Sequence, residues 1–400
     1  MKPVMNRAAT LQVTLLRGAA LAAVAALALL TACASVPPPS ANSHLLHDEL
    51  FTLPNPPPDS GGLFTMSDAM LAYAARELAP LARQADPRRE LIDALYKKGR
   101  LQLDYDATVT RSAAEAFAAR AGNCLSLVIM TASFARHLGL PVSFQTVQID
   151  DFYSRSGGLY LASGHVNLVL GPPPVRSAFS RNDRESLTID FLPQAELRGQ
   201  RTRPLEERTI VAMYLNNRAA EALAAGRTAE AYGFARAALL QDPGFHNASN
   251  TLGVVYNSAG HHGPAEAAFR HALTGDGDNV SALSNLVMLL GRLGRSDETV
   301  ALAARLQRLQ PVAPFHHFNL GRAAMNDGDY AQARDHFQRE LRMQPYQDEV
   351  HFWAAQAYWL LGQTSQARRH LNQALENSAN RDTHGRYAAK LEGLRQSGVQ

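Results

Sequence analysis

The sequence predicts an α+β domain followed by an all-α solenoid of helical repeats, with an export signal in front of both. Three observations predict this order. An apolar run of 12 residues lies near the N-terminus, the middle of the chain changes from helical to alternating periodicity, and a period of 34 residues fills the C-terminal half. With 400 residues, 19% charged and 46% hydrophobic, the chain is long enough for two or three folded units and too polar for many membrane spans.

The composition excludes several classes of protein. Lys and Arg number 39 against 36 Asp and Glu, and three of the basic residues lie in the export signal, so the exported chain is neutral. Nucleic-acid binding needs a dense basic surface, and we therefore expect no nucleic-acid partner. Two cysteines, Cys33 and Cys124, cannot form a disulfide framework or a Cys-rich zinc site. Each cysteine needs its own explanation.

Residues 1–32 have the pattern of a signal peptide. The apolar run from Ala19 to Leu30 is shorter than the ~20 residues that span a bilayer, and no acidic residue precedes it. It ends in Leu-Thr-Ala-Cys33, which resembles the cleavage box of bacterial lipoproteins. The resemblance implies that the Cys33 thiol receives a diacylglycerol and that cleavage precedes it, and several acyl chains anchor a protein stably. An ordinary secretory signal with a chance cysteine is the alternative.

The residue after Cys33 is Ala34 rather than Asp, which implies the periplasmic face of a Gram-negative outer membrane. Residues 33–62 contain two Pro-rich stretches, Val36 to Pro39 and Pro54 to Pro58. Proline favours extended chain without internal hydrogen bonds. We expect residues 33–62 to be a tether between the lipid and the folded part.

Residues 63–205 are predicted to form the α+β domain. Ser112 and Glu115 have the spacing of a capping box, and Asn123 is placed to cap an apolar helix from Cys124 to Leu138. Cys124 then lies in the first turn, where free N–H groups and the helix dipole favour a thiolate over a thiol. A buried structural thiol is the alternative for this residue.

Three β-rich segments follow this helix, at residues 142–148, 165–170 and 187–191. His165 begins the second, after Ser-Gly, and Asp190 lies in the third. A helix-borne Cys followed by His and Asp on neighbouring strands is the arrangement of an acyl-transfer site, in which His165 is the base for Cys124 and Asp190 orients the imidazole. Asp150, Asp151 and Asn167 could take the orienting role instead of Asp190.

These segments resemble the transglutaminase-like superfamily of papain-like folds. The resemblance rests on Gly-Asn-Cys124, Gly-His165-Val-Asn, Ile-Asp190-Phe-Leu-Pro and the lead-in stretches 103–106 and 110–113. It implies thiol chemistry on amides, by hydrolysis, deamidation or transamidation, without a cofactor. An oxyanion hole needs a donor besides the Cys124 N–H. No Gln or Asn occurs at 114–121, which leaves Asn123 as the candidate, if it is not engaged in capping.

Residues 206–381 are predicted to contain five helical repeats, which begin at Ala212, His246, Val280, Pro314 and Asp348. Position 15 of every repeat is glycine, which permits a left-handed turn between two antiparallel helices. Positions 8 and 20 are mostly small, which permits close helix packing. The pattern resembles tetratricopeptide repeats, and residues 382–400 are expected to form a closing helix and tail.

Tetratricopeptide arrays bind peptides or protein surfaces in the concave groove of their first helices. We therefore expect a protein or peptide partner. Asn and Arg can hold extended backbone and carboxylates, although simple solvation is an equal alternative for them. The candidate groove residues are Asn216, Asn250, Asn257, Asn285, Arg292 and Asn319.

No metal site is expected. The adjacent pairs His261–His262 and His316–His317 lack Cys or acidic companions at zinc spacing, so we expect surface histidines. Two functions remain open: a lipid-anchored thiol enzyme whose repeats bind a substrate or regulator, or a lipoprotein scaffold in which the transglutaminase-like module has lost its chemistry.

Overall fold

In the computed structural model the chain divides into two compact units, residues 1–43 and 44–400. The predicted signal peptide and Cys33 lie outside the described residues. The elements below belong to the second unit. The residues that the structure describes are 42–53, 58, 61–80, 86–97, 101, 103–106, 109–156, 159–171, 186–191, 201–311, 315–345, 347–378 and 381–397.

Three helices open the α+β region. The first, α1 (Asp68–Tyr73), is capped by the Ser67 side chain and continues as a π-helical turn over Ala74–Leu78. Helix α2 (Pro87–Tyr96) begins at a proline, which fits the first turn because proline lacks an N–H and an N–H there would have no intrahelical acceptor. Helix α3 (Ala113–Ala119) is preceded by the predicted capping box.

The capping box is confirmed in both directions. The Ser112 hydroxyl accepts from the Glu115 amide at 3.4 Å, and the Glu115 carboxylate accepts from the Ser112 amide at 2.8 Å. The strands β1 (Asp104–Tyr105) and β2 (Ala121–Gly122) then pair in parallel. This pairing brings the segment before α3 beside the start of the next helix.

Helix α4 (Cys124–His137) is the centre of this region. Every residue from Leu125 to Ala135 is buried, so the helix is packed on all sides rather than on one stripe. It ends as predicted near Gly139, whose φ is +72°. Cys124, its first residue, is half-buried, and the C-terminal end of the helix is exposed at Arg136 and His137.

An antiparallel sheet packs against α4. Its strands are β3 (Val142–Ser156), β4 (Leu159–Leu170), β5 (Leu187–Ile189) and β6 (Arg201–Leu205), and the predicted β-segments all fall in or overlap them. Among the described residues the strand order is β5-β4-β3-β6. The prediction that His165 begins a strand was wrong, because β4 begins at Leu159 and pairs with β3 through Ser163. His165 is therefore in mid-strand.

From residue 207 to 377 the described chain forms five helix pairs, followed by a closing helix. The predicted all-α solenoid is present. The pairs are α5 (Glu207–Ala224) with α6 (Thr228–Gln241), α7 (His246–Ser258) with α8 (His262–Gly275), α9 (Val280–Arg292) with α10 (Ser296–Leu309), α11 (His316–Asn326) with α12 (Tyr330–Met343), and α13 (Asp348–Leu360) with α14 (Thr364–Asn377); the closing helix is α15 (Arg381–Ser397).

The turn inside each pair is made by the predicted glycine. The φ angles of these five glycines lie between +73° and +83°, a region that favours glycine. Position 8 of the repeat is small for a different reason: a Cβ added to Gly253 would lie 2.5 Å from the Phe269 ring, and one added to Gly321 would lie 2.5 Å from the Phe337 ring.

The apolar core is continuous across the first part of the array and then breaks. One cluster of buried side chains extends from Leu45 through α4 and the sheet to Leu290 in α9. Every residue of α10 is at least partly exposed. A separate cluster then begins at Phe315, and a third includes Leu391 of the closing helix. The α+β region and the first three repeats therefore share a core that the last two repeats do not join.

Residues 44–53, here called the strap, pack on the first two repeats. The Phe51 ring stacks on Tyr232 with centroids 4.3 Å apart, and the Asp48 carboxylate accepts from the Tyr232 hydroxyl at 2.7 Å and from Arg236 at 2.8 Å. The Tyr256 hydroxyl donates to the Leu45 carbonyl. The tether predicted over 33–62 therefore includes a packed segment, because Leu45 and Phe51 bury apolar surface.

Within the described ranges, no helix combines the length and apolar character needed to cross a bilayer.

Candidate functional site

Cys124 is positioned by the cap of α4. The Asn123 side-chain oxygen accepts from the Ser126 amide at 2.9 Å and from the Ser126 hydroxyl at 2.8 Å, which confirms the predicted N-cap. Gly122 lets Ser126 approach, since a Cβ there would lie 2.7 Å from the Ser126 Cβ. Cys124 is free and half-buried. Its thiol thus lies at a helix N-terminus, with a route to solvent.

His165 and Asp190 reach this thiol from the sheet. Strands β4 and β5 are adjacent, and Leu168 pairs with Ile189, the residue before Asp190. The His165 Nε2 and Asp190 Oδ1 atoms are 2.6 Å apart, and the two side chains are 4% and 10% exposed. The Cys124 thiol lies close enough to the His165 ring to raise the pKa of that ring. Because Nε2 faces Asp190, Nδ1 is the nitrogen left for the thiol.

Asn167 supports the carboxylate. Its Nδ2 donates to Asp190 Oδ2 at 3.1 Å, two residues along β4 from His165 and on the same face of the strand. Each oxygen of Asp190 thus has its own partner, which fixes the plane of the carboxylate. Asp150 and Asp151, which the sequence also offers for the orienting role, lie in β3, and their side chains are outside what the structure describes.

The electrostatics of His165 are set by three opposing effects. Burial disfavours the charged ring, but the hydrogen bonds to Asp190 and to Cys124, together with their charges, outweigh it and raise the pKa of His165 to about 9. The ring therefore keeps its proton at neutral pH. A protonated imidazole beside a thiol stabilises the thiolate, which is the nucleophilic form.

Asn123 does not fit the role of oxyanion donor. Its oxygen caps α4, and its Nδ2 donates to the Thr110 hydroxyl at 2.8 Å. Asn123 is 9% exposed and Thr110 1%, so this amide is held inside the protein. The side-chain amide of Asn123, which the oxyanion role would need, is therefore engaged in capping α4 and in bonding Thr110. The backbone N–H of Cys124 remains a donor, because the first residue of a helix has no intrahelical acceptor.

Sequence reasoning did not identify the contact between this cap and the first repeat. The Thr110 amide donates to Glu221 Oε1 at 2.7 Å, and Asn217 Nδ2 donates to the Thr110 hydroxyl at 3.2 Å. Both partners are on α5. The sequence carries one weak signal: the stretch at 110–113 lies immediately before the capping box of α3 and thus close to Cys124 in the chain.

The predicted groove residues all lie on first helices of repeats: α5, α7, α9 and α11. Asn285 Nδ2 donates to Asn250 Oδ1 at 3.0 Å, which links the second and third repeats. The side-chain oxygens of Asn216 and Asn257 are buried and accept no hydrogen bond from the described residues. Arg292 and Asn319 are exposed.

In the described part of the chain, no three His, Cys, Asp or Glu side chains lie close enough together to hold a metal ion. The expectation of surface histidines was wrong for His317. Its ring is half-buried and stacks on His336 with centroids 5.8 Å apart, so it packs between the two helices of its repeat.

Comparisons with known proteins concern the repeats. Two family models described as tetratricopeptide repeat match residues 284–348 and 324–391. The C-terminal part of the chain is thus a tetratricopeptide-repeat array, a fold that generally serves as a scaffold for protein interaction. No curated protein matches the chain.

Several solved structures are similar to part of the chain. MamA MSR-1 is 24% identical, with 42% of this chain and 97% of that one covered and a TM-score of 0.24. PilF of Pseudomonas aeruginosa is 22% identical, with 47% and 94% covered and a TM-score of 0.27. A thermophilic tetratricopeptide-repeat protein of Thermus thermophilus is 18% identical, with 45% and 98% covered and a TM-score of 0.29.

Proposed function

We propose that this protein is a transglutaminase-like thiol enzyme that acts on amide bonds of a protein or peptide, with the repeat array binding the substrate or a regulator. One observation carries the proposal: the buried His165 ring bonds the Asp190 carboxylate, and the Cys124 thiol lies near enough to the same ring to raise its pKa. Cys-His-Asp is the set of groups that acyl transfer by a thiol requires.

The chemistry follows from these three groups. With the thiol proton already on His165 Nδ1, Cys124 Sγ attacks the substrate carbonyl carbon to form a tetrahedral intermediate. His165 then gives that proton to the amide nitrogen, the C–N bond breaks, and the amine leaves a thioester on Cys124. Water or an amine attacks the thioester while His165 accepts its proton. The thiol is regenerated and an acid or a new amide is released.

Asp190 stabilises the charged imidazole during both steps. Its carboxylate holds Nε2–H, so Nδ1 is directed to Cys124, and Asn167 holds the carboxylate in turn. The oxyanion accepts a hydrogen bond from the Cys124 N–H at the start of α4, where the helix dipole also favours negative charge.

The second candidate is a lipoprotein scaffold whose transglutaminase-like module no longer turns over substrate. It is favoured by the engagement of Asn123, whose amide caps α4 and contacts Thr110 rather than facing the thiol. A single backbone donor gives a weaker oxyanion hole than two, and loss of one such donor costs roughly 100- to 1000-fold in kcat.

The proposal includes a lipid anchor on Cys33 at the periplasmic face of the outer membrane. It is supported by the apolar run and the cleavage box in the sequence. We expect wild-type protein to incorporate labelled palmitate and to sediment with outer membranes, and we expect Cys33→Ser to do neither. Equal palmitate incorporation by Cys33→Ser would exclude this anchor.

Thiol alkylation tests the enzyme proposal. In the full chain carrying Cys33→Ser, Cys124 is the single cysteine, so the iodoacetamide rate reports on it alone. An ordinary thiol loses reactivity below about pH 8.5. We expect Cys124 to stay reactive well below that pH, and His165→Ala to remove this acid-side reactivity.

His384→Ala is the matched control, since this histidine is exposed on α15 far along the chain from the site. It should leave the alkylation profile unchanged. If Cys124 follows the ordinary thiol profile, and His165→Ala changes nothing, the scaffold function is correct and the enzyme proposal fails.

A further inference from the structure

The contact between the α4 cap and the first repeat has Thr110 at its centre. Its hydroxyl accepts from Asn123 Nδ2 at 2.8 Å and from Asn217 Nδ2 at 3.2 Å, and its backbone amide donates to Glu221 Oε1 at 2.7 Å. The Thr110 hydroxyl oxygen thus uses both of its acceptor sites.

The centre of this contact is buried, and it includes the Glu221 carboxylate. Thr110 is 1% exposed, and burial raises the pKa of Glu221, while its bonds to Thr110 and the nearby Arg218 and Arg111 act in the opposite direction. A carboxylate in such a place is tolerated because its oxygens are occupied: Oε1 accepts from the Thr110 amide, and Oε2 lies 3.5 Å from Arg218. Removing a partner leaves a buried polar group unsatisfied.

The same contact extends to the residue next to Cys124, the proposed nucleophile. Asn123, which donates to Thr110, uses its oxygen to cap α4, and Cys124 is the next residue. The Arg111 amide, next to Thr110, donates to the Ser126 hydroxyl at 2.7 Å, and that hydroxyl donates to the Asn123 oxygen. The first turn of α4 is therefore held from the Thr110–Arg111 segment, and that segment is held from α5.

We infer that the first repeat sets the reactivity of Cys124: Asn217 and Glu221 act through Thr110 and Asn123 as positioning residues for the thiol. This inference rests on the proposed function and identifies how the array regulates its site.

The experiment measures the alkylation rate of Cys124 against pH in the full Cys33→Ser chain, together with thermal unfolding. Thr110→Val keeps the shape of the side chain and removes the hydroxyl, while Thr110→Ser keeps the hydroxyl. We expect Thr110→Val and Asn217→Ala to lower the alkylation rate at neutral pH by roughly two- to tenfold, the factor that a lost hydrogen bond represents, and to shift the pH profile. Thr110→Ser should restore both.

Asn247→Ala is the control for general loss of stability. It removes a comparable bond between repeats, from Asn279 Nδ2 to Asn247 Oδ1 at 2.8 Å. It should lower the unfolding temperature and leave the alkylation profile of Cys124 the same as in the wild-type protein. If Thr110→Val does not fold, Asn217→Ala decides the question, because it leaves Thr110 bonded to Asn123 and Glu221.

The outcomes separate this inference from the proposed function. If Asn217→Ala lowers stability as Asn247→Ala does but keeps the wild-type rate and pH profile, the contact is only structural and the inference is wrong. If His165→Ala also keeps the wild-type profile, the proposed function fails with it. If His165→Ala alone changes the profile, the enzyme proposal stands and only the positioning role is lost.

Discussion

The two ends of the repeat array differ in what they pack against. The first repeat contributes Ile210 and Leu215 to the same buried cluster as α4 and the sheet, and the strap covers the second repeat through Tyr256. The last two repeats have clusters of their own, which begin at Phe315. Units of one 34-residue pattern thus serve as part of a domain at one end and as a separate module at the other.

The difference shows how the repeat pattern is modified locally. Repeat proteins are stabilised by each unit and by its interfaces with neighbours, so a weak interface divides the array into blocks that unfold separately. Here α10 has no buried residue, and it separates the two blocks. Loss of core packing before α10 should therefore affect the thiol site, and loss of core packing after it should not.

The largest expected effect comes from a matched pair of phenylalanines. Phe269 and Phe337 occupy position 24 of the second and fourth repeats, and both are buried against a position-8 glycine. Each substitution to alanine should cost about 3–5 kcal/mol of local stability. Hydrogen exchange should show Phe269→Ala loosening α4 and Phe337→Ala loosening only α11–α15.

Alkylation of Cys124 gives the second readout for this pair. Phe269→Ala should make the thiol more accessible to reagent through partial unfolding, while Phe337→Ala should leave the rate at its wild-type value. The division into two blocks is wrong if both substitutions change hydrogen exchange over the same helices.

A smaller effect is expected on acidification of the last two repeats. Positions 4 and 23 are histidine in both, as His317 with His336 and His351 with His370. Burial lowers the pKa of all four, with help from neighbouring positive charge, and lowers that of His370 to about 4. Nδ1 of His351 and Nδ1 of His370 are 3.0 Å apart, so both rings cannot carry a proton there.

The lowered pKa values of these histidines fix how the stability of the last two repeats changes with pH. The unfolded histidines take up protons near pH 6.5, while the folded ones resist, so stability is complete above pH 6.5 and is lost as the pH falls toward 4. Hydrogen exchange of α11–α14 at pH 7 and pH 5 measures this loss of stability. His351→Phe with His370→Leu should remove the pH dependence of α13 and α14, while His317 and His336 keep that of α11 and α12. Equal protection at both pH values in the wild-type protein would contradict this prediction.

Sequence periodicity predicts much of this fold because its signals are local. The helix pairs follow from one glycine every 34 residues, and the cap at Asn123 from an amide beside an apolar helix. The strap was missed, because Leu45 and Phe51 stand among prolines and bury their surface against residues far along the chain.

The site was predicted only where each residue has a local signal. Cys124, His165 and Asp190 are recognisable from their flanking segments, and the structure brings them together; their catalytic roles stay predictions. Thr110 could not be found in this way, since its partners Asn217 and Glu221 are more than 100 positions away and have no spacing relation to it. Contacts between elements distant in the chain leave no periodic pattern in the sequence from which they could be predicted.

The titration of His165 followed by NMR tests the central claim most directly. Above its ordinary pKa of 6.5 the folded ring keeps its proton until about pH 9, so its stabilising effect is complete below pH 6.5 and is lost as the pH rises through 9. We predict that the His165 ring signals titrate near pH 9 in the wild-type protein and move toward 6.5 in Asp190→Asn. Titration near 6.5 in the wild-type protein, unchanged by Asp190→Asn, would contradict the account.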